Sequence, residues 1–172
     1  MILVVGDREY SQQVTIEVAN QRRIDRLTLG ITDIFRYTPS LSPQELTCLH
    51  DFMGVPRQDC RYIDLLAPHW HDGSWHAKDA KKMGKLVLEY VQNTPEISAV
   101  VMLGRNVGEA IVPNNGGYMM KFGEVHKIDM GLVVTPCILV PHPRQKIKMA
   151  KTKDMEIVQE AIRHHLRTGA TA

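Results

Sequence analysis

Only three cysteines, Cys48, Cys60 and Cys137, occur in 172 residues, odd in number, widely separated and without a CxxC spacing. That argues against a disulfide framework and a four-cysteine metal cluster, and favours reduced thiols in a cytosolic compartment. Charge of one sign is scarce as well: 21 Lys and Arg against 19 Asp and Glu leave a formal net charge of +2. Near-neutrality neither demands nor excludes nucleic acid, so electrostatics must be read from local clusters. Long apolar runs are missing too. The one at the N-terminus is too short for a signal peptide, and no later segment approaches the roughly 20 residues that span a bilayer. These absences lead to the expectation of a cytoplasmic protein with no membrane partner. What remains, 44% hydrophobic residues in 172 with no composition shift and no internal repeat, is one domain over 1–172 with a full core.

Apolar segments of strand length alternate with helical patterns. Ile2 to Val5 is a short strand broken by Gly6; Arg61 to Leu66 contains a second; Ala99 to Leu103 is a third, broken by Gly104; Val133 to Val140 contains a fourth. Between them, Ile16 to Leu29 mixes apolar and charged residues at helical spacing, and Pro43-Gln44-Glu45-Leu46 opens a helix behind Ser42. Ala77 to Gln92 carries Met83, Leu86, Val87 and Tyr90 at spacings of three and four, and a last helix is expected from Asp154 to Leu166. Alternation of this kind predicts an α/β fold: a three-layer α/β/α sandwich around a short, mainly parallel sheet of about four strands.

The run Cys137-Ile138-Leu139-Val140 reads as a strand buried on both faces, stopped by Pro141-His142-Pro143-Arg144. His142 is thereby held at the mouth of a sheet, where open α/β sheets bind ligands. The other strands end on the same rim, in Gly6-Asp7-Arg8-Glu9-Tyr10, in Asp64 followed by Ala67-Pro68-His69-Trp70-His71, and in Gly104-Arg105-Asn106. Turn glycines and helix-capping Asp7 or Asn106 explain each loop singly. Capping alone needs no histidine and no tryptophan.

In the order of these motifs the chain resembles the uracil-DNA glycosylase superfamily. The likeness rests on Val4-Val5-Gly6-Asp7-Arg8-Glu9-Tyr10, Tyr62-Ile63-Asp64-Leu65-Leu66, Val100 to Ala110 with its apolar strand and glycine turn, and Val140-Pro141-His142-Pro143, and it spans most of the chain. The spacing across Gly123 to Val134 is similar too. The resemblance implies hydrolysis of the N-glycosidic bond of a flipped uracil or other modified base in DNA. Such chemistry needs a carboxylate or positioned water near the sugar and a donor for the departing base.

The resemblance implies that the first loop supplies the carboxylate, Asp7 first and Glu9 second, with Gly6 and Tyr10 beside the substrate; the family's usual proline is absent, and Glu9 stands where it is expected. A helix cap or a solvent-facing acid is the plainer role for both acids. His142 matches the histidine that hydrogen-bonds the base carbonyl. Arg144 replaces a small residue and is suited to a phosphate. Asp64 stands where an asparagine is common; an ionised aspartate only accepts hydrogen bonds, so it suits a base edge bearing amino or imino hydrogens. Asp64 as a structural acid or cap stays open.

A flipped base needs a flat partner, for which Phe35 is preferred, with Tyr37, Trp70 and Trp75 as further options and core packing as the alternative for Phe35. The cluster His69, His71, Asp72 and His76 offers ligand types but lies in a loop without a second cluster, so no metal or other cofactor is expected, and iron-sulfur relatives would need cysteines that are absent. After Arg144, Lys146, Lys148, Lys151 and Lys153 put cations beside the His142 loop; they would neutralise DNA phosphates or form a solvated basic face. Two other readings stay open: an inactive relative that binds DNA or protein, and a nucleotide- or nucleoside-processing enzyme. Oligomeric state is not indicated.

Overall fold

The computed structural model describes residues 1–8, 15, 17, 18, 20, 21, 24, 41–66, 77–112, 120–129, 131, 133–145, 149, 150 and 152–171. Its elements are β1 (Ile2–Arg8), α1 (Pro43–Met53), a short 3-10 turn (Arg57–Asp59), β2 (Cys60–Leu66), α2 (Ala77–Gln92), β3 (Ala99–Leu103), α3 (Arg105–Ile111), β4 (Val125–Asp129), β5 (Val134–Val140) and α4 (Thr152–Thr171). Of the helix expected over 16–29, residues 17, 18, 20, 21 and 24 are described and helical.

The sheet runs β2-β1-β3-β5-β4, with the first four strands in that order parallel and β4 antiparallel to β5. The mainly parallel sheet is as expected, but it has five strands where about four were expected. The additional one, β4, alternates poorly because it is an edge strand whose only deeply buried residue is Ile128. Gly6 does not break β1: pairing with β2 continues through Gly6↔Asp64 to Arg8↔Leu66, so Asp7 and Asp64 are strand residues rather than loop residues.

Alternation of side chains across the strands builds two cores. Leu3, Val5, Val100, Met102, Cys137 and Leu139 face α2 and α3, while Ile2, Val4, Val101, Leu103, Ile138 and Val140 face α1 and α4. Both faces of the parallel strands are therefore covered, which is why they read as continuous apolar runs. The result is the three-layer α/β/α sandwich. No helix among the described residues is long and apolar enough to cross a membrane.

This strand order also fixes where a crevice forms. The chain leaves β1 for β2 on one side and then crosses to β3 on the other, so the carboxyl ends of β1 and β3 flank a topological switch point.

Candidate functional site

A cleft lies at that switch point, lined by Gly6 and Asp7 from β1, Tyr62 and Asp64 from β2, Leu103 at the end of β3, and His142 and Arg144 after β5. It spans about 310 Å³ and opens to solvent.

Local sequence explains how each strand end delivers its side chain. In β2, Tyr62 and Asp64 are two apart and share a face, as do Val4 and Gly6 in β1, so all four meet on the α1 side of the sheet. Gly6 and Asp64 are register partners, and a Cβ on Gly6 would lie 2.3 Å from Asp64 Oδ1. Glycine at this point lets the carboxylate lie against the neighbouring backbone. At the end of β3, Gly104 adopts φ 90° and ψ 163°, and its N–H donates to the Val140 carbonyl at 2.8 Å, tying the β3 turn to the strand that carries His142.

His142 is mostly buried, and its two ring nitrogens have different tasks. Nδ1 accepts a hydrogen bond from the main-chain N–H of Arg144 at 3.1 Å. A nitrogen that accepts cannot carry the proton, so the neutral ring holds it on Nε2, 3.8 Å from Asp7 Oδ1. Burial lowers the pKa of His142 below its ordinary value; Asp7 and Glu45 pull the other way, and Arg144 adds to the burial effect. The imidazole is therefore a neutral N–H donor facing a carboxylate. Asp7 and Asp64 each have further interactions of their own.

Arg144 is half exposed, and its Nε lies 3.5 Å from Glu45 Oε2. Glu45 is a site neighbour that motif reading missed. Its only sequence signal is the Ser42-Pro43-Gln44-Glu45 start of α1, which announces a helix cap and says nothing of the distant strand end. Tyr62 likewise carries no sequence signal beyond its place in a strand. Its hydroxyl donates to His50 Nε2, while His50 Nδ1 donates to the Val55 carbonyl at 2.7 Å. Burial raises the Tyr62 pKa, so the phenol stays protonated and the ring forms a fixed wall of the cleft.

Asp7, Asp64, His142, Arg144 and Gly6 thus come together. Arg105 does not join them: its guanidinium donates to the Met120 carbonyl and sits 4.9 Å from the centre of the Phe122 ring. Glu9, Tyr10, Phe35, Tyr37, Trp70, Trp75, Lys146, Lys148 and Lys151 lie outside the described residues, as does the whole stretch 67–76 with its histidines. Lys153 is exposed on α4. Among the described residues no group of three or more His, Cys, Asp or Glu is arranged to hold a metal ion. All three cysteines are free, and burial pushes the thiols of Cys60 and Cys137 up to about 12, Asp59 contributing at Cys60, which keeps both protonated.

Chemically, the cleft offers a carboxylate beside an N–H donor, a second carboxylate on the next strand, and one guanidinium at the rim. That set can orient a water, polarise a leaving group that accepts a hydrogen bond, and recognise hydrogen-bond donors. No protein-family model matches the chain, and no curated protein matches it.

Proposed function

We propose that this cleft is the base pocket of a DNA glycosylase-like hydrolase that cleaves the N-glycosidic bond of a flipped uracil or other modified base. The observation that carries the reading is the convergence of Asp7, Asp64 and His142 at one switch-point cleft, from β1, β2 and the turn after β5. Asp7 is assigned to hold the attacking water and offset positive charge on the sugar, beside the Nε2 of His142 at 3.8 Å. His142 is assigned to donate from Nε2 to the base as its bond breaks, the moment at which the acceptor becomes most negative. Asp64, which only accepts when ionised, is assigned to read amino or imino hydrogens on the base edge.

A free nucleotide is a poorer occupant. Two carboxylates, Asp7 and Asp64, line the cleft with a single guanidinium, Arg144, and that cation already faces Glu45. Phosphates are better accommodated outside the cleft, where the reading places DNA, its backbone beside the Lys146, Lys148 and Lys151 segment. DNA repair in the cytoplasm, with reduced cysteines, is the setting this reading implies.

The test is a panel of oligonucleotides, single- and double-stranded, carrying uracil and amino-bearing or alkylated bases, assayed for abasic sites. At least one base should be released, and His142→Ala should slow release about 100- to 1,000-fold, the usual cost of removing one donor to developing charge. DNA binding without release of any base would make the protein a binding module instead. Release from free nucleosides alone would make it a nucleoside hydrolase.

A further inference from the structure

Glu45 belongs to α1, not to a strand end, and its local role looks complete. As the third residue of a capping box it accepts the Ser42 N–H on Oε1 at 3.1 Å, while its own N–H donates to Ser42 Oγ at 3.1 Å. That occupies one carboxylate oxygen. The other, Oε2, is buried and has no hydrogen bond. A buried carboxylate oxygen left so is costly unless a charge meets it, and the charge it meets is Arg144 Nε at 3.5 Å.

The pairing has a direction. Glu45 is held on a rigid helical turn by two reciprocal bonds, whereas Arg144 is half exposed at the end of a short segment after β5. The fixed member is therefore the acid, and the member being positioned is the arginine. Arg144 in turn supplies the main-chain N–H that meets His142 Nδ1, and the Gln145 N–H closes the same turn on the His142 carbonyl at 2.8 Å.

We propose that Glu45 is a positioning residue of the cleft, clamping Arg144 so that the His142–Arg144 turn keeps the imidazole in its Nε2–H form. Its consequence for catalysis rests on the base-release reading; its consequence for the imidazole does not. Burial raises the carboxyl pKa of Glu45, but the two Ser42 bonds, Arg144 and His142 outweigh it, so the acid stays ionised where the clamp must act.

Glu45→Gln isolates the clamp, because glutamine at the third position still completes a capping box and removes only the charge. Nitrogen-15 NMR of the intact protein reads the ring tautomer of His142 and the solvent exchange of the Arg144 Nε–H. In Glu45→Gln the Nε2–H form should give way to a mixture, and the Arg144 proton should exchange at least tenfold faster. Arg144→Met should produce the same mixture, and Glu45→Gln with Arg144→Met together should add nothing further. If a base is released, Glu45→Gln should slow release about tenfold, within the range a small misplacement costs. An unchanged tautomer and unchanged Arg144 exchange would overturn the inference, even in an active enzyme. Absence of base release in the parent would sink the functional reading and leave the NMR result to decide this one.

Discussion

The Arg144 main-chain N–H donates to His142 Nδ1 at 3.1 Å, and by occupying that nitrogen it leaves the imidazole proton on Nε2, 3.8 Å from Asp7. Burial sets the sign of the pH dependence, since it holds the pKa below the ordinary 6.5 against the pull of Asp7 and Glu45. Between the lowered value and 6.5 the unfolded chain binds more protons than the native one. The stability due to this group is then complete above pH 6.5 and is lost as pH falls toward the folded value. NMR titration of His142 should give a midpoint below 6.5, and any base-release rate should hold through pH 6.5 before its acid limb. A midpoint at or above 6.5 would show that the ring is paired as an imidazolium and is no neutral donor.

Gly6 makes room for the Asp64 carboxylate. A methyl group at position 6 would sit 2.3 Å from Asp64 Oδ1, well inside contact distance, so the strand or the carboxylate must move. Gly6→Ala should destabilise the protein by about 1 to 3 kcal/mol in urea denaturation. Combined with Asp64→Ala, which removes the obstructing oxygen, the loss should be smaller than the sum of the single losses by about 0.5 kcal/mol or more. Strict additivity of the two would mean that the clash is relieved elsewhere.

Much of this frame is legible in the chain, for a physical reason: buried parallel strands must be apolar throughout. Ala99–Leu103 and the helix Ala77–Gln92 appear at the ends the pattern gives them, and Pro43 behind Ser42 marks the start of α1. Edge strand β4 and the seven-residue α3 are not legible, because one has little to bury and the other is too short to show a period. At the site, Asp7, Asp64 and His142 could be read because each sits at or near a strand end. Glu45 could not, since its cap signal is satisfied locally and its approach to Arg144 is created only when α1 packs on the sheet.

Gly104 is fixed by backbone shape and not by space. Its φ of 90° with ψ of 163° lies in a region open essentially to glycine, while a Cβ would find its nearest neighbour, His142 Cβ, at an ordinary 3.7 Å. Gly104→Ala should therefore cost about 1 to 3 kcal/mol through strain alone. Hydrogen exchange should report the damage at the Gly104 N–H, which now donates to the Val140 carbonyl at 2.8 Å. Unaltered protection of that amide, with unaltered stability, would show that alanine tolerates the turn.

Tyr62 should matter to stability through its hydroxyl. Removing that group in Tyr62→Phe leaves His50 Nε2 without its donor in a site where His50 is only 8% exposed. A cost of about 1 to 3 kcal/mol is expected for the orphaned acceptor. His50→Leu with Tyr62→Phe, which removes both polar partners, should recover part of it. Thermal denaturation of the three variants checks the order; a double variant less stable than Tyr62→Phe would assign His50 a role beyond this bond.

Asp64 carries the most specific functional expectation. Its carboxylate lies against Gly6 at the cleft, so replacing it with the isosteric asparagine changes hydrogen-bonding character while leaving shape and the Gly6 contact in place. A carboxylate accepts from amino and imino hydrogens but opposes a carbonyl; an amide accepts with one end and donates with the other. Two acceptors forced together cost about 1 to 3 kcal/mol, roughly 5- to 150-fold in a rate ratio. The parent should therefore favour a base whose edge presents N–H groups over uracil, and Asp64→Asn should shift the ratio toward uracil by that factor. Competition between two labelled oligonucleotides in one reaction measures the ratio without dependence on how much enzyme is folded. If the ratio is the same in both proteins, Asp64 supports the sheet and does not read the base.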